Sequence, residues 1–409
     1  MSTKLLWATL VVALPLFCGA QSFGSSGLSG ESLNNPTSLQ FGPDGRLYVS
    51  QQDGLLFAYT VVRNGANDYA VTETEIIDLV QRIPNHNDDG TVHTAAVRRQ
   101  VTGLLTTGPA TAPVLYVTSS DYRIGGGGSG ADKNLDTNSG MISRLTKTAT
   151  GWKKIDLVRG LPRSEQNHAT NGLQLSPDGT TLYVAQGGHT NAGAPSNNFA
   201  FSTEYALSGA VLTVDLTAID ALPTLSDPVS GTAYKYDLPT LDDPTRPNAN
   251  GQDVGDPFGG NDGLNQARLV PGGPVAVHSP GYRNVFDVVL TEAGRLYTWD
   301  NGANAGWGGH PDNEGAPSVT NNWVPGEPGS RGPGPNDAQV NNRDNLHLIT
   351  GPGYYGGHPN PVRANPAGAG LFTNNQAGGE NGVFRTSVTA DPATTLPVDW
   401  PPIPTSLAN

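Results

Sequence analysis

The chain has 409 residues with 53 glycines, 33 prolines and only 14% charged residues, a mixture that fits many short strands joined by turn-rich loops. Apolar strand patterns recur along its length, which excludes a disordered polymer. A formal net charge of -13 repels polyanions, excludes general nucleic-acid binding, and suits a protein acting on neutral or cationic molecules.

The first element is the apolar run Leu5–Phe17, preceded by Lys4 and followed by the small residues Cys18, Gly19 and Ala20. The run is too short to span a bilayer comfortably, and its flanks are those of a secretory signal peptide over residues 1–20. Bulky Phe17 argues against lipid attachment at Cys18. The sequence therefore predicts a secreted or periplasmic protein with no transmembrane segment, its folded domain running over residues 21–409. Cys18 is the only cysteine, so the mature chain supports neither disulfides nor thiolate chemistry.

One phrase then recurs. It reads PTSLQFGPDGRLYVS over 36–50, NGLQLSPDGTTLYVA over 171–185, and, worn, DVVLTEAGRLYT over 287–298. A fourth copy runs from Val101–Thr107 into Val114–Val117. The clearest copies place an Asp-Gly turn between two apolar strands, a strong hairpin signal because glycine accepts the positive φ that the turn requires. Further strands follow at 54–59, 140–145 and 209–215. Three or four strands per unit, repeated radially, predict an all-β propeller of four-stranded blades. Long insertions at 192–208, 216–266 and 302–344 explain the uneven spacing, and no helical periodicity follows the signal peptide. About four units are visible and none closes back onto the first, so the expectation is a propeller lacking its last one or two blades.

Three segments carry candidate chemistry. His168 lies in EQNHATNGLQL (165–175), directly before a blade's first strand. A strand-capping loop histidine is the competing reading; the place at a hairpin's inner entry favours function. Arg283, in Gly281–Asn284, offers either a surface salt bridge or a planar fork for a bound carboxylate. The loops 299–309 and 351–360 are rich in Gly, Asn and aromatic residues, and are either simple connections or a place where backbone carbonyls and flat rings converge.

The order of these segments, His loop, Gly-Tyr-Arg-Asn, Asp-Asn-Gly-Ala-Asn, then the run 345–349 with Tyr354-Tyr355-Gly356, resembles the glucose/sorbosone dehydrogenase family. The resemblance covers about residues 35–365 and implies a six-bladed propeller that holds pyrroloquinoline quinone with calcium. It implies that His168 is the general base, taking the sugar hydroxyl proton as hydride passes to the quinone. It implies that Arg283 polarises the quinone and that Arg283, Asn284 and Asn304 contact the cofactor. Gly302 and Ala303 match positions whose backbone carbonyls ligate calcium. Its partners are a sugar or polyol substrate and an electron acceptor outside the cytoplasm.

This chain departs from the family pattern in three places. An aspartate that precedes the histidine is Asn167 here, the family's glutamine stands at Gln100, one place off, and the late Lys/Arg cluster has no counterpart before Asn409. From a different class, a non-catalytic carbohydrate- or protein-binding propeller would use Trp299, Trp307, Tyr354 and Tyr355 as stacking faces. The acidic loop 241–265, with Asp242, Asp243, Asp253, Asp256 and Asp262, reads as solvated because it lacks regular calcium-loop spacing. The cluster His86, Asp88, Asp89 and His93 matches no zinc spacing, and the Gly125–Gly128 run precedes no helix that would cradle phosphate.

Overall fold

The computed structural model describes residues 24–87, 90–126, 133–193, 197–200, 204–205, 207–228, 230–239, 267, 269–270, 272–307 and 343–358. The signal peptide, the acidic loop 241–265, residues 308–342 and residues 359–409 lie outside the described residues.

The chain builds four successive sheets, the blades of a propeller. The first contains β1 (Leu28–Ser29), β2 (Pro36–Phe41), β3 (Leu47–Gln51), β4 (Leu56–Gly65) and β5 (Asp68–Ile77), in the order β1-β5-β4-β3-β2. A small hairpin, β6 (Asn85–His86) and β7 (Val92–His93), leads to the second blade. That blade is the meander β8 (Gln100–Thr107), β9 (Val114–Ser120), β10 (Gly140–Thr148) and β11 (Gly151–Leu161). The third begins with β12 (Thr170–Leu175), β13 (Thr181–Gln186) and β14 (Ala210–Asp215).

The chain then makes an excursion that the sequence reading treats as a loop. Helix α1 (Leu216–Ala221) forms where the Asp215 carboxylate caps the Ala218 N–H and Leu216 and Ile219 enter the core. Strands β15 (Leu225–Ser226) and β16 (Ala233–Asp237) return to the second blade, where β16 pairs in parallel with β11. β17 (Val275–Pro280) completes the third blade beside β14. The fourth comprises β18 (Val285–Leu290), β19 (Leu296–Asp300) and β20 (Asn345–Ile349). Among the described residues the blades thus carry five, six, four and three strands, not a uniform four.

The repeated turns form as their sequence requires. Gly45, Gly179 and Gly294 adopt φ of 78°, 75° and 73°, and each N–H donates to the carbonyl three residues earlier. Apolar side chains on the facing sides of neighbouring blades pack together, while the first and fourth blades leave Leu39, Phe41, Val289 and Leu346 exposed. Tyr48, Leu56 and Ile77 of the first blade pack on Leu104, Leu115 and Val117 of the second. Ile142 and Leu157 then meet Leu182 and Leu212, and Ala185 and Val211 meet Val285, Val288 and Leu296. Each fully buried Leu or Val in these seams contributes roughly 1.5–3 kcal/mol.

All four hairpins share one irregularity. Register breaks near the start of the first strand, between Pro36 and Ser38, Val101 and Gly103, Thr170 and Leu173, and Val285 and Asp287. Such bulges bend the strand and re-aim its side chains. The last two breaks follow directly on His168 and Arg283.

Candidate functional site

His168 is held at the entry to β12 by reciprocal bonds with Ser164: its N–H donates to Ser164 Oγ (2.9 Å), and the Ser164 N–H donates to its carbonyl (2.9 Å). Its ring is buried, edge-on to Phe199 with centroids 5.0 Å apart. Nδ1 lies 2.8 Å from the Gly188 carbonyl. A carbonyl only accepts, so Nδ1 carries the proton and Nε2 keeps its lone pair. Burial first, and the Arg283 charge second, hold the imidazole well below its ordinary pKa, so the ring is neutral.

Arg283 reaches the same place from the fourth blade. Its carbonyl accepts the Gly188 N–H at 2.8 Å, so Gly188 is bonded to both residues. The neighbouring Gly187 bridges Asn284. A Cβ on Gly187 would sit 2.7 Å from Asn284 Oδ1 and 2.8 Å from His168 Cβ, so only glycine lets the two segments approach. The Arg283 guanidinium is buried against the rings of Phe199 (5.9 Å) and Trp307 (5.7 Å). Its Nε donates to Asn191 Oδ1 (3.1 Å), while Nη1 and Nη2 have no partner among the described residues. Burial lowers its pKa to about 10, which leaves it charged.

Asp300 fixes the backbone beneath this cation. Its carboxylate accepts the N–H of Asn284 (2.8 Å) and of Arg283 (3.2 Å), and Asn171 Nδ2 donates to Asn284 Oδ1 (3.2 Å). Burial pushes the Asp300 carboxyl up to about 6, against the lowering effect of those two bonds. The folded pKa exceeds the ordinary 3.8, so the stability linked to Asp300 is full below about 3.8 and is lost as pH rises through about 6. A carboxyl carbon titration by NMR is expected to show this midpoint near 6 for Asp300, and a midpoint near 4 would refute it.

The loop after β19 lies beside Arg283. Asn304 donates its N–H to Asn191 Oδ1 (2.9 Å) and accepts from Asn191 Nδ2 (3.0 Å), while its own side chain is exposed. The Gly302 N–H donates to Asp344 Oδ1 (3.0 Å), and Ala303 is buried. The carbonyls of Gly302 and Ala303 accept no hydrogen bond from the described residues. Those free oxygens are the donor type that a hard cation takes, and the partnerless Nη groups suit an anionic, oxygen-rich cofactor, so the residues present fit both groups. No cluster of three His, Cys, Asp or Glu suited to a metal occurs among the described residues.

Several contributors escape the sequence reading, Gly187, Gly188, Asn191 and Phe199, and Asp300 stands in its Asp-Asn-Gly-Ala-Asn motif without an assigned role. The doubled glycine after the third blade's hairpin was the available signal for the first two. Gln100 faces the His168 loop, with Nε2 on the Asn167 carbonyl (3.3 Å). Its Oε1 and the Oγ of its cross-strand neighbour Ser120 are buried without a partner, as ligand-binding atoms would be. The aromatic candidates divide: Tyr354 packs into the core with His347 and the Tyr355 hydroxyl bonds the His358 carbonyl, whereas Trp299 remains 47% exposed. His93 contacts the Tyr122 hydroxyl (3.2 Å), and Asp88 and Asp89 lie outside the described residues. A cavity of about 630 Å³ opens between Pro84, Arg99, Asp156 and Tyr234, and none of the residues around His168 lines it.

No family model and no curated protein matches this chain. Among solved structures, a calcium structure of the Trichoderma reesei Carbohydrate-Active Enzymes Family AA12 protein is similar at 14% identity and a TM-score of 0.39, covering 92% of this chain and 67% of that one. The PQQ-bound aldose sugar dehydrogenase of Streptomyces coelicolor is 17% identical with a TM-score of 0.34, over 76% of this chain and 68% of its own. The holo pyranose dehydrogenase PQQ domain of Coprinopsis cinerea is 13% identical with a TM-score of 0.39, over 80% and 54%. This chain resembles these proteins at low identity and low structural score.

Proposed function

We propose that this protein is an exported quinoprotein oxidoreductase that oxidises a CH–OH group of a sugar or another alcohol, with residues 1–20 directing export and residues 21–409 forming the propeller. The observation that carries the reading is that His168 and Arg283, 115 positions apart in sequence by subtraction, bond to the same residue, Gly188, and both lie against Phe199. A neutral base and a buried cation held on one glycine and one aromatic ring are the pairing that proton abstraction beside an electron acceptor requires.

In this reading His168 Nε2 takes the substrate hydroxyl proton, and Nδ1 stays fixed on Gly188. The two free Nη groups of Arg283 hold oxygens of pyrroloquinoline quinone, and Asn284 and the Asn304 segment lie beside it. The carbonyls of Gly302 and Ala303 hold calcium. The quinone, when bound, accepts the two electrons, which pass to an acceptor outside the cytoplasm. An anionic group docked on Arg283 opposes the cation's share in depressing His168, so loading the site strengthens the base.

The test is titration of the apo-protein with pyrroloquinoline quinone and calcium, following cofactor absorbance and sugar-dependent dye reduction. Calcium-dependent binding with turnover is expected. Absence of binding would favour a surface-binding propeller, for which half-exposed Trp299 opposite exposed Leu346 on β19 and β20 is the supporting observation.

A further inference from the structure

We propose that Asn191 is a positioning residue that makes the Arg283 guanidinium and the 302–304 carbonyl loop a single unit, so that the cation site and the anion site are set together. This rests on the reading that Arg283 meets the cofactor and that Gly302 and Ala303 hold calcium.

Asn191 is fully buried in the segment that follows Gly187 and Gly188. Its Oδ1 accepts from Arg283 Nε (3.1 Å) and from the Asn304 N–H (2.9 Å), and its Nδ2 donates to the Asn304 carbonyl (3.0 Å). The chemistry fixes which end of the amide is which. Turned over, the NH2 would face two N–H donors and the oxygen would face a carbonyl, so the observed orientation is the one that satisfies all three bonds.

The segment itself is pinned independently. The Thr190 N–H and Oγ both donate to Glu204 Oε1 (3.0 and 2.8 Å), and the Gly193 N–H donates to Thr190 Oγ (3.0 Å). Asn191 is therefore a fixed post and not a mobile side chain. Through it a loop from the fourth blade and a guanidinium that precedes that blade take their places from the third.

Asn191→Ala is expected to weaken calcium binding, measured by calorimetry on the apo-protein without quinone, by about 10–100-fold. It is also expected to weaken quinone binding, followed by absorbance. Leu115→Ala, in the seam between the first two blades, supplies the structural control. It lowers the melting temperature as well but is expected to leave both affinities unchanged. Equal losses in the two variants, or wild-type affinities in Asn191→Ala, would overturn the proposal.

A ligand-free readout separates this idea from the functional reading beneath it. The Arg283 Nε–H signal in the apo-protein is expected to be protected from solvent exchange and to lose that protection in Asn191→Ala. If the wild type binds neither calcium nor quinone while this protection behaves as described, the functional reading fails and the positioning role stands. Unchanged protection in the variant overturns the positioning role.

Discussion

Replacing His168 by glutamine is expected to lower sugar turnover of the calcium- and quinone-loaded protein by about 10²–10⁴-fold, the usual contribution of a positioned general base. The substitution removes the lone pair at Nε2, while its amide still reaches towards the Gly188 carbonyl that Nδ1 now holds. Two pH effects distinguish this base from an ordinary histidine. Its pKa lies well below 6.5, so kcat/KM in the wild type is expected to show no acid limb from imidazole protonation near pH 6.5. The folded ring also refuses a proton that the unfolded chain accepts. His168 therefore contributes stability above its unfolded pKa of about 6.5 that is lost as pH falls below it. His168→Gln should flatten that part of the curve of melting temperature against pH. A variant retaining most of its turnover would remove His168 from the reaction.

Arg99→Met is expected to destabilise the fold by roughly 2–4 kcal/mol in urea unfolding. Arg99 is 1% exposed and has no carboxylate within ion-pair distance among the described residues. Its guanidinium donates instead to Asn85 Oδ1 (2.9 Å), Ser119 Oγ (3.3 Å) and the Ser139 carbonyl, joining the hairpin segment at 85 to the second blade. Burial lowers its pKa to about 10, so the charge is costly, yet the group remains protonated and its bonds are charge-assisted. Methionine relieves the desolvation cost but takes the donor from the Asn85 and Ser139 oxygens at about 1–3 kcal/mol each. The stranded acceptors outweigh the relief. Arg99→Lys is expected to recover little, since an ammonium does not span acceptors on three sides. An unchanged unfolding midpoint in Arg99→Met would show that water replaces the guanidinium.

The blade hairpins were legible because their determinants are local. An Asp-Gly turn and alternating apolar residues act within a dozen positions, and the turn at Gly179 has the same hydrogen bond as that at Gly45. His168 and Arg283 stood out because each stands just before a hairpin, and in the structure both bond to Gly188. What stayed hidden depends on partners far apart in the chain. The Asn191–Asn304 bonds span 113 residues, and no pattern around Asn191 announces them. Strand β16 looked like part of a long loop because its partner β11 is parallel to it and distant in the sequence. Helix α1 is only six residues long, too short to show a periodicity.

The seams between blades have a consequence for how the molecule is made. Each joins sheets that are neighbours in the chain, and the first draws only on residues between Tyr48 and Trp152. Contacts of that kind close early, with modest loop entropy, as synthesis proceeds from the N-terminus. A nascent chain that has emerged through Trp152 already holds every residue of its first seam, so burial can begin while the strands that carry His168 and Arg283 are still unmade.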